Sequence, residues 1–141
     1  LEPGDTVIVA RDIHLSAVNA FIMADVKPVF VYPSARETDV PCVVSVQDVA
    51  SAVALHKKAK AVYLTYPNYY GLCADLNGIC AVAHEAGMKV ICDAAHAAGQ
   101  PIRRDIDLGD AVFNPAAACG AAGHAADVRV HCGPLLLGPC G

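Results

Sequence analysis

VICDAAHAAGQP, residues 90–101, opens with three apolar residues, Val90, Ile91 and Cys92, which are stopped by Asp93. His96 follows, and after it come small residues as far as Gln100 and Pro101. A short apolar run of this kind reads as a buried strand, and an acidic side chain at the end of a buried strand needs a partner. The nature of that partner decides what the chain is for.

Outward from this stretch, short β-rich runs alternate with longer segments of helical period. Thr6 to Ala10 reads as a strand, and His14 to Ala24 as a helix with Leu15, Val18, Phe21 and Ile22 at helical spacing. Pro28 to Tyr32 is a second strand. Ser45 offers an N-cap with Asp48 at the third helical position, for a helix that carries Val49, Val53 and Ala54 and ends near Lys57 and Lys58. Ala61 to Tyr66 is a third strand, closed by Pro67. Asp75 caps the next helix, with Ile79, Val82 and Ala83 on its apolar face, and Gly87 stops it. Met88 to Cys92 is the fourth strand, and Asp110 to Phe113 a fifth. The alternation predicts an α/β fold, a mostly parallel sheet with helices on both faces.

Composition narrows the function. The chain has 141 residues, 55% hydrophobic and 17% charged, with a formal net charge of -4. That excludes a disordered chain, and the scattered Lys and Arg residues give no basic stripe for nucleic acid. No apolar run approaches the roughly 20 residues of a membrane helix. Seven cysteines, an odd number without a C-x-x-C pair, read as reduced thiols of a cytoplasmic protein. The opening LEPGDTVIV reads as a loop running into a strand, so a fragment of a larger protein is expected.

Ligands of open parallel sheets bind outside the carboxyl ends of the strands. His14, the loop Tyr66-Pro67-Asn68-Tyr69-Tyr70-Gly71, and Asp93 with His96 fall at such ends. Each has a plainer reading: His14 as a polar residue of a first helical turn, the loop as a strand-to-helix connection, Asp93 as a turn former, and His96 as a ring bonded to backbone. An ionised Asp93 would be stabilised by a protonated heterocyclic nitrogen on a cofactor.

PGDTVIVARDIHLSAVNAFIMADVKPVFVYP, AVYLTYPNYYGLCADLNGICAVAHEAGMKVICDAAHAAG and DLGDAV resemble, in order and spacing, the large domain of the fold-type I pyridoxal-phosphate enzymes, most closely the bacterial Orn/Lys/Arg decarboxylases. The resemblance covers roughly residues 3–112. It implies pyridoxal 5'-phosphate as cofactor, an amino acid (lysine, arginine or ornithine) as substrate, and a homodimer with sites at the subunit interface. By resemblance His14 stacks on the pyridine ring, Asp93 bonds the ring nitrogen, and His96 lies beside the cofactor. Aminotransferase or lyase chemistry on the same fold is the nearest alternative.

Two departures from the family pattern matter. Its phosphate-binding loop would lie upstream of residue 1, and its Ser-x-His-Lys segment should follow DLGDAV, where this chain reads FNPAAACGAAGHAAD. The lysines are Lys27, Lys57, Lys58, Lys60 and Lys89, and none stands at the Schiff-base position. No catalytic residue is therefore assigned, and the chain by itself is expected not to decarboxylate amino acids.

Residues 1–113 read as a partial large domain and 114–141 as a separate Ala/Gly/Cys-rich tail, poorly ordered or produced by a frameshift in GC-rich coding sequence. Cys119, His124, His131, Cys132 and Cys140 of the tail make zinc binding a rival class, but their spacings fit no finger or ribbon, so no metal site is expected. A non-catalytic remnant, or a partner of a full-length relative, is the third reading.

Overall fold

The computed structural model describes residues 1–33, 42–97, 111–113 and 129–130. Its strands are β1 (Thr6–Ala10), β2 (Lys27–Val31), β3 (Ala61–Thr65), β4 (Lys89–Asp93), β5 (Ala111–Phe113) and β6 (Arg129–Val130), with helices α1 (Leu15–Met23), α2 (Val46–Leu55) and α3 (Leu76–Glu85). They form one sheet in the order β2-β1-β3-β4-β5-β6. Neighbours from β2 to β5 pair in parallel, and β6 runs antiparallel to β5.

Side-chain alternation divides the core between the two faces of the sheet. Ile8, Val62, Leu64, Val90 and Cys92 pack with Val49, Ala52 and Val53 of α2 and with Leu76, Ile79 and Ala83 of α3. Val7, Val9 and Ala61 turn the other way, onto Ala17 and Phe21 of α1, with Tyr63 and Ile91 at the margin. Val7, Ile8 and Val9 are all fully buried, as expected of a central parallel strand covered on both sides. Each such side chain contributes about 1.5–3 kcal/mol relative to exposure. Helices thus cover both faces, as the sequence predicts.

Local chemistry sets the helix ends. Ser45 and Asp48 form a reciprocal capping box at the start of α2: Ser45 N donates to Asp48 Oδ2 at 2.9 Å, and Asp48 N donates to Ser45 Oγ at 3.1 Å. Asp75 caps α3 through Gly78 N. A Cβ on Gly78 would meet Val46 Cγ2 at 2.6 Å, so glycine is what allows α2 and α3 to approach there. Gly87, at φ +73°, closes α3 with bonds from Gly87 N to His84 O and from Met88 N to Ala83 O, both 2.9 Å. The end of α1 has the same form with Asp25 in the left-handed position, at φ 51°. Asp25 N donates to Ile22 O at 3.2 Å and Val26 N to Phe21 O at 2.9 Å.

Several boundaries differ from the sequence reading by a residue. His14 is the N-cap of α1 and not a residue of its first turn, because its extended backbone (ψ 147°) lets the ring accept from Ser16 N. Helix α2 ends at Leu55, so Lys57 and Lys58 lie just past its C-cap, His56. Asp93 is the last residue of β4, held there by the ladder to Thr65. Within the tail, Arg129–Val130 pairs with β5 and so belongs to the sheet; the rest of 114–141 lies outside the described residues, as do its cysteines and histidines.

In β2, Lys27 N donates inward to Asp5 O, so residues 27, 29 and 31 face β1 with their N–H groups. Position 28 points outward, and proline stands there.

Candidate functional site

The strand order reverses after β2. From β1 the chain goes out to β2 on one side, then returns past β1 to β3 and β4 on the other. The carboxyl ends of β1 and β3 therefore flank a switch point, the place where ligands of such sheets bind. Two loops border it: Arg11 to His14 after β1, and Tyr66 to Asp75 after β3.

Asn68 ties these loops together. It is almost fully buried, at 1% exposure. Its side-chain oxygen accepts from Tyr70 N at 3.0 Å and Leu72 N at 2.9 Å, and its Nδ2 donates to Asp12 Oδ2 at 3.2 Å. One amide thus shapes the second loop and moors it to the first. Tyr69, exposed by that turn, meets Tyr70 edge-on at 5.5 Å and His96 edge-on at 5.9 Å between ring centroids.

Asp93 sits at the adjacent carboxyl end, on the α1 side of the sheet, and is only 5% exposed. Oδ1 accepts from Ala95 N at 3.0 Å, which is the turn-forming role expected of it. Oδ2 accepts from the Tyr63 hydroxyl at 3.3 Å. Both donors are neutral, so the carboxylate is buried without a compensating cation among the described residues. Burial, and then the charge of Asp93, hold the Tyr63 phenol well above the usual tyrosine range. The neighbouring Cys92 thiol is pushed up to about 12, again by burial first and Asp93 second.

Thr65 lies opposite Asp93 in the parallel ladder and shares its face by alternation. Its Oγ1 is buried and has no hydrogen-bond partner among the described residues. An orphaned buried hydroxyl costs about 1–3 kcal/mol, which a ligand at this end of the sheet would relieve.

The three residues singled out from sequence all lie at this end. His96, exposed on the short 3-10 turn Ala95–Ala97, lies three positions after Asp93. His14 stands at the end of the β1 loop with its imidazole on Ser16: Nδ1 accepts from Ser16 N at 3.2 Å and lies 2.8 Å from Ser16 Oγ. A backbone N–H can only donate, so the proton of the neutral ring is on Nε2. Sequence reasoning missed Tyr63, Thr65 and the Asn68 to Asp12 link. Reading β3 and β4 as a ladder with Thr65 opposite Asp93 would have placed Tyr63 and Thr65 on the face of Asp93.

The fold is that of the large domain of fold-type I, aminotransferase-like pyridoxal-phosphate enzymes. In the solved SepCysS–SepCysE N-terminal domain complex, a chain with 16% sequence identity superposes with a TM-score of 0.72, covering 82% of this chain and 33% of that one. The family is narrower than the fold. The model of the Orn/Lys/Arg decarboxylase major domain matches residues 1–108, and the chain belongs to that family. An uncharacterized protein of Bacillus subtilis, YaaO, is 38% identical over 98 residues, covering 69% of this chain and 20% of its own length. An arginine decarboxylase of Bacillus cereus is 34% identical over 95 residues, covering 67% and 21%. The chain therefore spans about a fifth of the length of these relatives.

The residues present fit the family's cofactor. A buried carboxylate with only neutral donors suits a protonated ring nitrogen, and the unpartnered Thr65 hydroxyl beside it suits a further polar group of the same ligand. Among the described residues no group of three His, Cys, Asp or Glu could hold a metal ion.

Proposed function

We propose that this chain forms the ring-binding part of a pyridoxal-phosphate-dependent decarboxylase of a basic amino acid, lysine, arginine or ornithine. Asp93, His14 and His96 are its cofactor-contacting residues. The observation that carries this reading is the buried Asp93 carboxylate, placed at the carboxyl end of a central parallel strand and given no cation by the described residues. When bound, the coenzyme supplies a ring that accepts the electrons of a broken bond to the substrate's α-carbon. The chain's part is to hold that ring. Asp93 accepts the ring N–H and stays ionised in doing so; His14 presents its imidazole from the β1 loop; Asn68 keeps the two loops together.

The same reading makes the chain catalytically silent alone. No lysine follows Lys89, so no amine stands where the family's covalent bond to the cofactor is made. The chain is then one segment of a longer decarboxylase or a remnant of one. A cytoplasmic homodimer is the expected setting. No disulfide joins the described cysteines Cys42, Cys73, Cys80 and Cys92. Among the described residues no helix is long and apolar enough to cross a membrane.

Spectrophotometric titration of the 141-residue chain with pyridoxal phosphate tests the reading. Saturable binding is expected, weakened about tenfold or more by Asp93→Asn, without carbon dioxide release from lysine, arginine or ornithine. A borohydride-fixed adduct on one of the five lysines accompanied by turnover would refute the silence. Binding indifferent to Asp93→Asn would refute the site.

A further inference from the structure

The carboxylate of Asp93 needs more than a location. Its Oδ1 is fixed by Ala95 N, two residues along its own turn, but Oδ2 is fixed from another strand, by Tyr63. We propose that Tyr63 is a positioning residue, which holds Asp93 oriented for the ring nitrogen of the bound coenzyme. This rests on the functional reading above and adds to it a residue that the sequence motifs do not single out.

Packing accounts for the ring of Tyr63 but not for its hydroxyl. The ring meets Phe21 of α1 edge-on, 5.4 Å between centroids at 86°, a contact that phenylalanine would make equally well. The hydroxyl is the atom that reaches 3.3 Å from Asp93 Oδ2. The pairing is also chemically apt. Arginine or lysine in this place would neutralise the carboxylate and compete with the ring nitrogen for it. A phenol donates one hydrogen bond and brings no charge, so Asp93 keeps its full attraction for a protonated ring. Because the phenol remains protonated throughout the working pH range, the donor is always present. At 3.3 Å the bond is long for one between two oxygens.

Binding of two probes to the 141-residue chain separates this role from plain packing. One is pyridoxal phosphate; the other is its carbocyclic analogue, with C–H in place of the ring nitrogen. Tyr63→Phe is expected to weaken the first about tenfold and leave the second unchanged. In the Asp93→Asn background the same change should add nothing, since there is no carboxylate left to hold. Equal weakening of both probes, or of neither, overturns the role of Tyr63 while leaving the cofactor site standing if Asp93→Asn still discriminates between them. Failure of the parent chain to bind either probe, or an Asp93→Asn variant blind to the ring nitrogen, overturns the functional reading and this one with it. A second measurement needs no Tyr63 variant: Asp93→Asn should lower the pH at which the last tyrosine ionises, followed by the tyrosinate ultraviolet band. An unchanged titration overturns the contact.

Discussion

Replacing Asn68 by aspartate should make stability depend on pH and replacing it by alanine should not, and the difference tests how the two loops are held together. Alanine removes the acceptor for two backbone N–H groups and the donor to Asp12. Tyr70 and Leu72 are exposed, so their N–H groups can rehydrate in part, and the total loss should be about 2–3 kcal/mol, independent of pH above the carboxylate range. Aspartate keeps both acceptors but sets a second carboxylate against Asp12 where an amide now stands at 3.2 Å. Two unit charges at that distance repel by about 5 kcal/mol at an effective dielectric of ~20, which solvent around the half-buried Asp12 reduces to roughly 2–3 kcal/mol. Protonating either carboxyl removes the repulsion, so Asn68→Asp should regain stability as the pH falls and lose it as the pH rises. The exchange variant, Asp12→Asn with Asn68→Asp, restores an amide facing a carboxylate and should recover most of the loss at neutral pH. Urea unfolding of the three variants from acidic to neutral pH measures all of this. Equal, pH-independent losses for alanine and aspartate, with no recovery in the exchange variant, would show that Asp12 does not anchor the loop.

Three further outcomes follow from the geometry. Thr65→Val removes an unpartnered buried hydroxyl at constant shape, so it should raise stability in urea by about 1 kcal/mol while weakening pyridoxal phosphate binding. Asp25→Gly relieves a left-handed backbone at the end of α1 and should raise the unfolding free energy by about 0.5–1 kcal/mol. Cys92, with its thiol pushed up to about 12, should resist alkylation in the folded chain while the exposed Cys73 reacts, as mass mapping would show. A raised thiol favours the unfolded, ionised form, so its effect on stability is absent at neutral pH. It should appear as a loss once the pH climbs past the ordinary thiol value towards about 12.

What could be read from the chain was whatever lies close along it. Ser45 with Asp48, Asp75 before its helix and Gly87 after it are caps whose partners lie within a few residues, and each stands where the sequence put it. Asp93 was legible as well, since a carboxylate closing an apolar run is anomalous by itself. Tyr63 was not. In AVYLT it reads as one more strand residue, and its partner is 30 positions away on a strand whose register no local pattern fixes. Asn68 bonds Asp12 across 56 positions, at a switch point that exists only once the strand order is known. Thr65 presents the converse case: its significance is a missing bond, which only a packed neighbourhood can reveal. His14 was placed at the correct end of the sheet, but its capping of α1 depends on an extended backbone that composition does not specify.

The proline at position 28 governs how this sheet meets other chains. It occupies the outermost strand at a point where the peptide would otherwise turn an N–H towards solvent, and Lys27 beside it is exposed. A strand arriving from outside would find one rung missing and a charge at the threshold, which is how natural sheets discourage runaway stacking into fibrils. Replacing this proline with valine would complete the rung and turn a guarded margin into a template.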